Sequence, residues 1–126
     1  CQDHYVATDL LQPLLKNRLT ECLEMIAKQL QKYCISLSLF GSYAKNIAGT
    51  ASDLDVLILT KAPAIVEQII DRHSPPIEKR YGLLISPYIQ TPQNFAHAIK
   101  QRQATASAIL KQHRHIAGTP LTTLMT

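Results

Sequence analysis

Gly41-Ser42 is followed, after ten residues, by Asp53-Leu54-Asp55. Each residue type in this stretch has a chemical use. Glycine lets a phosphate approach the backbone closely. Ser42 adds a hydroxyl, and a helix starting there turns free N–H groups and a positive dipole end toward an anion. Asp53 and Asp55 are two apart, so on a strand both carboxylates face the same way. Converging hard oxygen ligands suit Mg²⁺ (or Mn²⁺), which takes a few carboxylates together with waters and substrate phosphates. Separately, Gly-Ser after a strand is a common turn, and Asp-x-Asp at a strand start is commonly loop solvation. The signal lies in their combination at this spacing.

The flanking elements must position these groups. Apolar residues at Leu15, Leu19, Cys22, Leu23, Ile26, Leu30 and Tyr33 recur in steps of three and four, the pattern of an amphipathic helix over about 13–33. Ile35 to Phe40 is β-rich and stopped by Gly41. Ser42 to Ile47 is helix-compatible, and 49–52 read as a loop. Asp53 to Thr60 reads as a second strand, its continuous Val56–Leu59 run implying cover on both faces. Pro63 opens a helix that His73-Ser74-Pro75-Pro76 is expected to end. Arg80 to Ile89 is expected as a third strand, placed at an edge or bulge by Pro87. Thr91-Pro92 is a helix-start signal. Helix is expected from there to about Ile116 with a break near Gln103, closed by Gly118 and followed by a short strand at Thr119-Pro120-Leu121. The class is α/β (α+β), a small mixed sheet flanked by helices. At 126 residues the expectation is one domain, 1–126, with its core over about 35–122.

Composition excludes several classes. Apolar residues make up 46% and charged residues 17%, a globular balance. The longest aliphatic runs are too short to span a bilayer, and no signal peptide is visible, so no membrane is expected and the location is expected to be cytoplasmic. The chain opens on Cys1 rather than Met, as an excised or processed segment would. Cys1, Cys22 and Cys34 form no CxxC pair, which argues against a disulfide framework or zinc knuckle and for reduced thiols. The net charge of +4 is uneven: residues 79–126 hold six Lys/Arg and no acid. That half would suit a phosphate-bearing ligand, or be a solvated basic face. It lacks interleaved aromatics, so direct nucleic-acid binding is not expected. His113-x-His115, placed on a helix, points to different sides and makes a poor metal pair. No P-loop lysine, dinucleotide fingerprint or activated Ser/His/Asp arrangement is present.

Residues 39–59, with an apolar strand ending in Phe40, the small Ala44, Ser52 before the first acid and an aliphatic strand after the second, resemble the signature of the polymerase-beta-like nucleotidyltransferase superfamily. The likeness is to small bacterial members, either minimal proteins often paired with a helical toxin or domains fused to a winged helix. Residues 80–87 and 116–121 look like the third strand and tail of the fused group. The resemblance implies the nucleotidyltransferase fold and metal-dependent transfer of a nucleoside monophosphate from a nucleoside triphosphate, ATP foremost, to a protein or small-molecule hydroxyl. By the same resemblance Gly41, Ser42 and Lys45 would bind the nucleotide. Asp53 and Asp55 would be catalytic and hold the metal, two ions serving an in-line displacement. The family also implies a third carboxylate on the third strand, to activate the acceptor. Here Ser86 stands at that position, and a neutral hydroxyl cannot replace a carboxylate. Glu78 could substitute only if that strand begins early. The loss opens an alternative: a catalytically degenerate nucleotide-sensing or partner-binding regulatory domain, antitoxin-like or once fused to a DNA-binding segment. Lys45-Asn46, where the family often has Arg-Gly, keeps the charge and tolerates a left-handed backbone.

Overall fold

The computed structural model describes residues 12–41 and 53–125, with side chains in the first span from Leu19 onward. The elements are α1 (Gln12–Leu30), β1 (Cys34–Phe40), β2 (Leu54–Thr60), α2 (Pro63–Tyr81), β3 (Ile85–Gln90), α3 (Pro92–Lys100), α4 (Ala104–Lys111), β4 (Arg114–Gly118) and α5 (Leu121–Leu124). The sheet order is β3-β2-β1-β4. β1 runs antiparallel to both β2 and β4, and β2 is parallel to β3 through the α2 crossover. This is a mixed four-stranded sheet flanked by helices.

The aliphatic run of β2 is buried on both faces, as its composition requires. Leu54, Val56 and Ile58 pack with Leu37 and Leu39 of β1 against the apolar stripes of α1 and α2. On the opposite face Leu57 and Leu59 meet Phe95 and Ala98 of α3, Ala106 and Ile109 of α4, and Leu121 of α5. The Tyr81 hydroxyl reaches Met25 Sδ at 3.2 Å and ties α2 to α1. Thr91 caps α3, its hydroxyl accepting from the Asn94 amide at 3.1 Å. Pro87 sits on β3, an edge strand, where its missing N–H need not serve an outer neighbour. Among the described residues no helix is long and apolar enough to cross a membrane.

Two expectations fail, and both failures have tertiary causes. Helix α2 does not end at Pro75-Pro76 but continues to Tyr81. Both prolines are exposed, while Val66, Ile70, Ile77 and Tyr81 form a buried stripe that continues past them. Burial of Ile77 and Tyr81 outweighs two interior hydrogen bonds lost on the wet side of the helix. The third strand consequently starts at Ile85, and Arg80 and Tyr81 belong to the helix. There the Arg80 guanidinium lies 5.3 Å from the Tyr81 ring centre.

The second failure concerns the C-terminal segment, which is not helical to Ile116. Gln112 turns extended, with φ −143° and ψ 107°, and Arg114–Gly118 pairs with the outer edge of β1. The edge of β1 offers backbone partners that no local pattern reveals. Residues 121–124, expected partly as strand, are the short helix α5. Gly118 does not close a helix. It ends β4 at φ +79°, where a Cβ would collide with the Ile35 carbonyl. The next amide, Thr119 N–H, donates to that same oxygen at 2.9 Å.

This close approach makes Gly118 the most sensitive point of β4. Gly118→Ala is expected to destabilise the chain by roughly 1–3 kcal/mol in urea unfolding. Gly82→Ala, also at positive φ but with open space around the added carbon, should lose less. Equal losses at the two positions would contradict the pairing of β4 with β1.

Candidate active site

The paired carboxylates come together at one end of the sheet because β1 and β2 are antiparallel. The last residue of β1, Phe40, pairs with Asp55 near the start of β2. The chain turns at Gly41 with φ +73°, a conformation that side chains rarely adopt. A Cβ at Gly41 would strike the Asp55 carboxylate, so the absence of a side chain there makes room for that group. Asp53, two residues before Asp55, is exposed, whereas Asp55 is half-buried. Period-two alternation puts both on the face that carries Leu57 and Leu59. Ser42 and Lys45 lie outside the described residues.

The surroundings of Asp55 hold its pKa above the usual carboxylate range. Burial is the largest cause, and the nearby charge of Asp53 adds to it; a hydrogen bond from the Ser86 side chain acts in the opposite direction. Ser86, expected on the third strand, is the in-register neighbour of Asp55 on β3. Two hard carboxylates on one face of the strand end, beside a backbone with no Cβ, form a donor set that fits a divalent cation. Among the described residues no cluster of three or more His, Cys, Asp or Glu side chains could hold a metal.

Glu78 has a different task. Its carboxylate accepts from the Ile85 amide at 2.7 Å, tying the last turn of α2 to the first residue of β3. Its backbone carbonyl accepts the Gly82 N–H that ends the helix. The early start of β3 that would have freed Glu78 for the site does not occur. Sequence reasoning missed this brace, which depends on the continuation of α2 beyond Pro76. The histidines also change setting. His113 Nδ1 lies 2.9 Å from the Ile109 carbonyl oxygen in a bond to the last turn of α4, and His115 stands on β4 opposite Ser38.

A cleft of about 300 Å³ adjoins the carboxylate end of the sheet, between Phe40 and Gly41 and the Thr105, Ile109 and Gln112 face of α4. A larger cleft of about 440 Å³ lies toward the other end of β1, among Lys28, Cys34 and Gly118. Its size does not make it the better candidate, because it holds no carboxylate pair. Burial pushes the Cys34 thiol up to about 11, so near neutral pH it is a protonated, unreactive group. Cys22, in the core, is likewise pushed up to about 11.

A family model of the nucleotidyltransferase domain matches residues 21–111, most of the chain. The chain belongs to the nucleotidyltransferase domain family. A relative from Methanocaldococcus jannaschii, named "Putative protein adenylyltransferase MJ1305", is 33% identical over 91 residues, covering 68% of this chain. The match spans 60% of that relative's length. Among solved structures, one described as "Crystal structure of the toxin-antitoxin with AMP-PNP" superposes with a TM-score of 0.53 over 82% of this chain and 80% of that one. At 15% identity that likeness speaks for the nucleotidyltransferase fold.

The raised pKa of Asp55 has a thermodynamic consequence. The folded chain binds the proton more tightly than the unfolded chain, so stability falls as pH rises through the interval between the two pKa values. Asp55→Asn removes that loss. Without divalent cations it is expected to melt above wild type near neutral pH. The difference should vanish well below the ordinary carboxylate range, at about pH 3. A variant melting below wild type near neutral pH would contradict the electrostatic assignment.

Proposed function

We propose that this nucleotidyltransferase domain binds ATP with Mg²⁺ (or Mn²⁺) at the Asp53/Asp55 end of the sheet and transfers AMP to an acceptor oxygen on a protein. The observation that carries this reading is the contact between Gly41 and Asp55, which sets a glycine backbone suited to phosphate approach beside a carboxylate pair in need of a cation. Asp53 and Asp55 would hold the ion. When bound, it would supply charge neutralisation for the triphosphate and for the pyrophosphate that leaves. Gly41 would admit the phosphates, with Ser42 and Lys45 following it in sequence as further nucleotide ligands. The cleft between Gly41 and α4 has room for part of the nucleotide or of the acceptor.

Adenylyl transfer to protein is drawn from the name of the Methanocaldococcus relative. The toxin–antitoxin complex with its ATP analogue supports both the choice of adenine and a protein partner, which in this reading is a helical toxin. A second reading, a nucleotide-sensing or partner-binding regulatory domain, is favoured by Ser86 beside Asp55 where an acid would activate an acceptor. The two readings share nucleotide binding and divide on transfer.

Calorimetric titration of ATP with and without Mg²⁺ tests what they share. Binding is expected to depend on Mg²⁺, to weaken at least about tenfold in Asp55→Asn, a loss of about 1.4 kcal/mol, and to be unchanged in His97→Ala on the exposed face of α3. Equal effects in both variants would contradict the site. With radiolabelled ATP and the co-purified partner, label on protein supports transfer; tight binding without label supports the regulator.

A further inference from the structure

We propose that Ser86 makes this a site for one divalent cation per bound nucleotide rather than two. The inference rests on the nucleotide-binding reading above and concerns the side of Asp55 that faces β3. Asp55 stands on a central strand with a neighbour on either side. Toward β1 it meets the bare backbone of Gly41, and toward β3 it meets Ser86 in direct register. Adjacent strands are about 4.8 Å apart. A carboxylate at position 86 would thus face Asp55 across a gap that a small ion can bridge. The serine hydroxyl is neutral and brings no anionic oxygen to that side of Asp55.

Neither Glu78 nor any later residue supplies a replacement acid. The Glu78 carboxylate is bound to the Ile85 amide at 2.7 Å. The sequence after Glu78 contains neither Asp nor Glu, so β3, α3, α4, β4 and α5 bring none. His113 is bonded to the end of α4, and His115 is on β4, two strands away from Asp55. Two doubly charged ions about 3.5–4 Å apart repel four times as strongly as unit charges at that distance. A second ion therefore needs anionic ligands of its own, and on the β3 side it finds a hydroxyl. One ion, held by Asp53, Asp55 and the nucleotide phosphates, satisfies the charges present. Such a site holds a triphosphate, while the base that deprotonates an acceptor must come with the acceptor.

The test counts ions by Mn²⁺ electron paramagnetic resonance on the whole chain with a saturating non-hydrolysable ATP analogue. Wild type and Ser86→Ala are expected to bind one Mn²⁺ per chain–nucleotide complex. Ser86→Asp is expected to bind two, the second at least about tenfold more tightly than any second ion in wild type. Two tightly bound ions in the wild-type complex would overturn the inference while leaving nucleotide binding intact. A folded Ser86→Asp variant that takes no second ion would overturn it as well. Failure of wild type to bind the analogue would overturn both the inference and the reading beneath it. The wild-type count is decisive even if Ser86→Asp does not fold.

Discussion

The Asp55 carboxylate lies against the backbone of Gly41, where β1 turns away from its antiparallel partner. Both groups are placed by strand pairing, not by local sequence. The Phe40–Asp55 pair fixes how far β2 reaches, and Gly41 at positive φ leaves space that a side chain would fill. Burial makes the ionised form of Asp55 costly, and the negative charge of Asp53 adds to that cost. A cation bound there would favour the ionised form of Asp55. The rest of the fold holds Asp55 in this setting, because β2 is packed on both faces.

Ser86 and Glu78 set the character of the β3 side. The α2 crossover delivers β3 parallel to β2, and the Glu78 carboxylate holds its first amide. That bond helps fix the register that puts Ser86, and no carboxylate, beside Asp55. An acid close in sequence to β3 thus serves as a brace, and the residue beside Asp55 on β3 is uncharged. The domain has the frame of a nucleotidyltransferase with a less anionic interior edge.

Much of this was legible in the sequence, for identifiable reasons. The steps of three and four in α1, the alternation and glycine stop of β1, and the aliphatic run of β2 all reflect burial against immediate neighbours. Gly41, Asp53 and Asp55 could be singled out because a glycine and two acids bounding apolar strands at that spacing are hard to explain as packing. Ser86 was expected on the third strand from the likeness of residues 80–87, and it lies on β3 in register with Asp55. The misread segments depend on distant contacts. Pro75-Pro76 signals a helix end locally, yet Ile77 and Tyr81 are buried against α1 and the sheet and carry α2 onward. Arg114–Gly118 is a strand because β1 had an open edge, and the Ile35 carbonyl received Thr119 only through the bare Gly118. The role of Glu78 was hidden for the same reason, since it required the true end of α2.

The most direct test of this account is to map paramagnetic broadening of backbone amide signals by Mn²⁺ in the presence of a non-hydrolysable ATP analogue. Broadening is expected to begin at Gly41, Asp53, Asp55 and Ser86 and to be absent from Lys28 and Gly118 at the larger cleft. Broadening centred on that cleft, or none at Gly41 and Asp55, would contradict it.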